Sequence, residues 1–236
     1  MVVIILWIVG ITAFSLFGAF YARKYARPDA LIALYVTFVI LSQIIATKIG
    51  EFDLGFTVVT APAAVLIYAV TFLITDIVNE RFGRLETHRM ILIALVAQLG
   101  MVFFLWLGII IKPAPFWPNQ KAWESIIGLV PRITLASLVA FFVSENLDAL
   151  LFHRLRELTK GRHLWLRNVV SSLPALTVDT FLFITIAFYG ELPLLPLIQG
   201  QIATKYLVGL VDIPFMYLNR WLMFGSPGNR LRAETS

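Results

Sequence analysis

Apolar residues run along this chain in continuous stretches of about twenty, parted by short basic connections. Each stretch is long enough to cross the roughly 30 Å hydrocarbon layer of a bilayer as an α-helix. Seven spans are predicted: Val2 to Phe20, Ala30 to Thr47, Phe56 to Val78, Met90 to Ile111, Val130 to Phe152, Leu166 to Tyr189 and Leu194 to Leu222. A closed β-barrel would also satisfy backbone groups in lipid, but its strands alternate, whereas these runs are continuous. The expected fold is therefore an all-α integral membrane protein, a polytopic bundle of about seven transmembrane helices forming a single domain over residues 1–236. The first span has neither a charged n-region nor a small-residue cleavage site and reads as a retained helix. The last is long and contains Pro214, which leaves room for a six-helix core with the first helix at its periphery.

Composition strengthens this picture. Hydrophobic residues make up 59% of the 236 positions and charged ones only 14%, with a mean hydropathy of +0.85. Ordinary soluble domains hold about 45–50% apolar residues, so no water-facing surface absorbs this excess. Orientation follows from the basic residues. With the N-terminus outside, the cytoplasmic connections hold Arg23, Lys24 and Arg27; Arg81, Arg84 and Arg89; Arg154, Arg156, Lys160, Arg162 and Arg167; and Arg220, Arg230 and Arg232. The outer side keeps Lys48, Lys112, Lys121 and Arg132, an asymmetry that predicts N-terminus out and C-terminus in. The expected location is the cell membrane, crossed many times. The longest outer loop, Lys112 to Arg132, carries Pro113, Pro115, Phe116, Trp117, Pro118 and Trp123. It reads as an interfacial anchor ahead of a lid, because aromatic side chains favour the headgroup level.

The same composition excludes several chemistries. Cysteine is absent, which rules out a disulfide framework, a thiol nucleophile and a thiolate metal site. His88, His153 and His163 all fall in basic loops, where a lone histidine is usually a surface residue, so no metal and no cofactor is expected. The basic pI of 9.6 reflects positive-inside loops and implies no nucleic acid. Without a G-x-x-x-x-G-K motif, any ATP hydrolysis must come from another protein. No paired motif of an intramembrane enzyme is present, and a non-enzyme is expected.

Charged and amide groups at membrane depth are costly and are the natural functional candidates. In the third span Asp76, Asn79 and Glu80 stand at i, i+3 and i+4 on one face, Glu80 nearest the water boundary. In the fifth, Glu145 and Asp148 share a face. Asp179 lies twelve residues beyond Arg167, about 18 Å at helical rise, which places it close to the bilayer centre. Gln201, Lys205 and Asp212 fall on one stripe of the seventh span, and Lys205 matches Asp179 in depth, so an ion pair between them would lessen the desolvation cost of both. Gln43 and Gln98 add amides in the second and fourth spans. Serine and threonine in such helices usually bond back to their own backbone and are given no ligand role.

Two long motifs point to a family. FLITDIVNERFGR, Phe72 to Arg84, and LWLRNVVSSLPALTVDTFLFITIAFYG, Leu164 to Gly190, resemble the queuosine precursor transporters, also called the vitamin uptake transporter family. Ala61-Pro62-Ala63, Arg132 with Ser137 and Phe141, Asp148, and Lys205 with Pro214 extend the likeness over nearly the whole chain after the first helix. The chain departs from the family at Pro174 to Thr177, where a Gln is common, and at Val169, where an Asn is frequent after Asn168.

The resemblance implies uptake of 7-deazaguanine precursors of modified tRNA nucleosides: 7-cyano-7-deazaguanine, 7-aminomethyl-7-deazaguanine or queuine. A guanine-like edge offers two adjacent N–H donors and a carbonyl acceptor, so a site needs a carboxylate together with an amide or cation. The expected substrate-binding set is Asp76, Asn79, Glu80, Gln43, Gln98, Arg132, Glu145, Asp148, Arg167, Asn168, Asp179 and Lys205. Phe72, Phe141 and Phe181 are candidates to stack on the base. The alternative is a substrate-binding subunit of an energy-coupling vitamin uptake complex with a separate ATPase. The partners expected are thus the small molecule and the lipid bilayer, with a homo-oligomer left open.

Overall fold

The computed structural model describes residues 2–53, 57–158 and 164–207. Their order is α1 (Val2–Tyr25), α2 (Asp29–Ile45), β1 (Ile49–Asp53), β2 (Val58–Pro62), α3 (Val65–Ile110), α4 (Gln120–Ile127), α5 (Val130–Leu158) and α6 (Leu164–Phe188), followed by α7 over residues 194–207. The part of the seventh span beyond residue 207, with Asp212 and Pro214, lies outside the described residues.

The chain is mostly helical, and its helices are apolar on their outer faces. In α3 only 17% of the most apolar stretch is buried, although the helix is long enough to cross a bilayer, as is the stretch Gln120–Asp148. The core helix of a soluble protein shows the reverse, with apolar residues hidden. Here Leu92, Val96, Phe103, Phe104 and Trp106 on α3, Phe142 on α5 and Phe181 on α6 stand exposed. Lipid is the solvent that accepts such a surface.

Two boundaries differ from the sequence expectation. The third span does not begin at Phe56, because Val58 to Pro62 forms an antiparallel hairpin with Ile49 to Asp53, pairing Gly50 with Ala61 and Phe52 with Val59. The β-branched run Thr57-Val58-Val59-Thr60 favours extended backbone. The Ala63 amide then donates to the Lys48 carbonyl at 2.8 Å and closes the hairpin base. Secondly, no loop parts the third and fourth spans. Helix continues on both sides of Gly83, whose φ of 84° and ψ of 175° break the run. Unbroken, 46 residues would extend roughly 70 Å, more than twice the hydrocarbon thickness. The break instead folds the second half of α3 back, so that Met90 and Ala94 pack in one cluster with Val70, Leu73, Ile74, Ile77 and Val78.

That cluster includes Leu31, Tyr35 and Val39 of α2 and Ala19 and Ala22 of α1. The Trp7 indole N–H also donates to the Leu66 carbonyl, so α1 packs into the bundle. A second cluster joins Ile133 and Ala136 of α5, Ile184, Ala187 and Phe188 of α6 and Leu197 of α7 to Ala46 and Ala64. In the outer loop, Gln120 Nε2 donates to the Ile109 carbonyl at 3.2 Å and ties α4 to the end of α3.

Candidate functional site

Beside the second packing cluster, which contributes Ala46 and Ala64, residues of α2, the hairpin, the start of α3, α5, α6 and α7 line a cavity. It is lined by Ser42, Gln43 and Ala46, by Pro62, Ala64 and Val65, by Ser137, by Asp179 and Phe183, and by Gln201 and Lys205. Counting its open mouth and the solvent in it, it holds about 430 Å³ of space between atoms. The hairpin brings non-helical backbone to the cavity wall, which a membrane protein tolerates where such backbone is buried in protein or lines a cavity.

At one side of the cavity Lys205 Nζ donates to Asp179 Oδ2. Both side chains are nearly buried, so each charge depends on the other. Ser144 Oγ makes a long 3.4 Å contact with Asp179 Oδ1 while donating to the Phe141 carbonyl at 3.1 Å. Gln43 of α2 adds an amide to the lining. Gln43 Nε2 donates to Gln98 Oε1 at 3.1 Å, and Gln98 Nε2 donates to the Ala94 carbonyl at 3.3 Å. Gln98 thus stands behind the cavity and fixes the rotamer of Gln43, which faces it. Ser42 bonds back to the Val39 carbonyl at 2.7 Å, as expected of a serine in an apolar helix.

Of the candidate residues, Gln43, Asp179 and Lys205 therefore line the cavity and Gln98 supports it. Asp76, Asn79 and Glu80 sit exposed on the first half of α3, and Glu145 and Asp148 lie on α5; none of the five is in the cavity wall. Arg132 has a different role. Its Nε donates to the Ile186 carbonyl at 2.7 Å, its Nη2 to the Tyr189 carbonyl at 2.6 Å, and Nη1 lies 4.0 Å from Glu191 Oε1. A cation at the carbonyl end of α6 satisfies groups that the helix itself leaves open. The backbone of Arg167 and Asn168 belongs to α6, but their side chains lie outside the described residues.

The sequence reading missed Gln201, Ser42, Ser137 and Phe183 as cavity residues. Gln201 had a signal, since it lies one turn before Lys205 on the same stripe. Phe183 had none, and the three phenylalanines suggested as stacking partners do not line the cavity. An edge-on contact with Phe188, centroids 6.1 Å apart, holds the Phe183 ring.

Helices with apolar outer faces, packed around a cavity that holds a nearly buried ion pair, define a helical membrane protein. The family described as "Putative vitamin uptake transporter" matches residues 62–219, and the chain belongs to that family. A "Probable queuosine precursor transporter" of Bacillus subtilis (strain 168) is 32% identical over 162 residues, covering 67% of this chain and 71% of the relative. A protein of the same description from Haemophilus influenzae is 28% identical over 127 residues, 52% of this chain and half of the relative. No solved structure matches the chain. Gln43 precedes the family match, so one wall of the cavity comes from outside it.

Proposed function

We propose that this protein takes up 7-deazaguanine precursors of queuosine or archaeosine, such as 7-cyano-7-deazaguanine, 7-aminomethyl-7-deazaguanine or queuine, across the cell membrane. The observation that carries the reading is the Asp179–Lys205 pair set in a cavity with Gln43, Gln201 and Phe183. A guanine-like edge presents N–H donors beside a carbonyl. An acid and a cation side by side offer the complement: the Asp179 carboxylate takes the ring N–H and one amino N–H, and the Lys205 ammonium takes the carbonyl. Asp179 and Lys205 stay side by side while each gains hydrogen bonds to the base, and Phe183 offers a ring face to the base plane. The descriptions of the two relatives support the same cargo.

The protein acts in this reading as a single domain of seven transmembrane helices, N-terminus out and C-terminus in, as the basic residues argue. The test is binding of 7-aminomethyl-7-deazaguanine to the purified protein, with adenine as the control of opposite donor and acceptor order. Asp179→Asn should lose about thirtyfold in affinity, on the order of 2 kcal/mol for a desolvated charged contact. Asp76→Asn, Glu80→Gln and Glu145→Gln, outside the cavity wall, should each lose less. Binding of adenine equal to that of the deazaguanine would end the cargo assignment. An ATPase that co-purifies with the chain and is required for uptake would favour the energy-coupling alternative.

A further inference from the structure

Gln201 is 4% exposed and lies in the cavity wall. Its Oε1 is buried without a hydrogen-bond partner, and among the described cavity-lining side chains it is the buried atom left in that state. The other strong groups in the wall are engaged: Asp179 by Lys205 and Ser144, Gln43 by Gln98. A buried amide oxygen with no donor is costly, and a native fold keeps one where something else supplies the donor. The backbone holds Gln201 in place, because its neighbour Gly200 lies directly against Thr60 of the hairpin. The side chain cannot retreat with α7.

We infer that Gln201 is the specificity-determining acceptor for an exocyclic amino group on a planar heterocyclic ligand. This deepens the cargo reading above and rests on it. An amino group carries two N–H bonds. A carboxylate that accepts the adjacent ring N–H satisfies one of them, and the other needs a second acceptor at the end of the edge. Gln201 Oε1 supplies it, one helical turn from Lys205 on α7. Occupation of the cavity then satisfies the orphaned oxygen, and a ligand lacking the amino group leaves it orphaned. The discrimination comes from that contrast, since a site built to hydrogen-bond a substrate group rejects the analogue without it far more strongly than an apolar pocket rejects a change of size.

The test compares 7-deazaguanine with 7-deazahypoxanthine, which has the same ring and carbonyl but no amino group, by calorimetric binding to purified full-length protein. Wild type should prefer the first by about tenfold or more. Gln201→Met, close in shape and without the oxygen, should bring the two ligands within about twofold of each other. Gln201→Glu keeps an acceptor and should keep the preference; it carries the test alone should the Met variant not accumulate. An unchanged ratio in Gln201→Met, or a ratio near one in Gln201→Glu, overturns the assignment while the cargo reading stands. A wild-type protein that binds neither ligand overturns both.

Discussion

Gly200 of α7 lies so close to Thr60 of β2 that a Cβ on it would stand 2.0 Å from the Thr60 carbonyl oxygen and 3.0 Å from its amide nitrogen. The opposing atoms are backbone held in the hairpin ladder, so they cannot turn aside as a side chain would. This contact sets the distance between the hairpin, which brings Pro62 to the cavity, and the helix that brings Gln201 and Lys205.

Gly200→Ala should therefore push α7 and the hairpin apart by about 1 Å, at a cost of about 1–3 kcal/mol for overpacking. Ligand affinity should fall by tenfold or more, because a displacement of this size spoils hydrogen-bond geometry. Gly100→Ala, where a Cβ meets nothing within 4 Å, should be neutral or slightly stabilising in its helix. Melting temperature and deazaguanine binding, measured side by side, check the contrast; equal behaviour of the two variants refutes it.

The buried pair makes a second prediction. Asp179→Asn leaves the Lys205 ammonium without its counter-charge and should cost about 3–5 kcal/mol in apparent stability. Adding Lys205→Met should recover much of that loss, giving a coupling of at least about 1 kcal/mol in a double-mutant cycle. Neither the double variant nor the charge swap Asp179→Lys with Lys205→Asp should restore binding. Strict additivity in thermal unfolding would argue against the pair.

Arg132 should behave as a stabiliser of α6. Arg132→Met removes two charge-assisted hydrogen bonds to the Ile186 and Tyr189 carbonyls and should cost about 2 kcal/mol. Glu191→Gln, which loosens only a 4.0 Å exposed ion pair, should change stability by less than about 1 kcal/mol. Protein that folds well but loses affinity on Arg132→Met would place the guanidinium at the ligand instead.

Orientation is testable without any ligand, because the chain contains no cysteine to interfere. Single cysteines at Lys121 and Arg84 should differ in intact cells, the first reacting with an impermeant maleimide from outside and the second only after the membrane is opened. Equal labelling would refute the assigned topology.

The sequence by itself determined the solvent and the helical class, since twenty-residue apolar runs and basic loops are one-dimensional signals. It also made Lys205 and Asp179 plausible partners through matched depth alone. Rotation about each helix axis was not readable. In lipid both faces of a helix are apolar, so the periodicity that marks the inward face of a soluble helix is weak, and Asp76, Glu145 and Asp179 looked alike. Only the tertiary structure turned Asp179 toward the cavity and left the other two outside its wall. The hairpin between α2 and α3 escaped for a related reason: Val58 to Pro62 is apolar enough to pass for the start of a span, and its extended form is fixed by pairing with Ile49 to Asp53 and by contact with Gly200. The same holds for Gln201. Its burial and its unpartnered oxygen depend on several elements packing round one cavity, a relation between distant segments that no local pattern encodes.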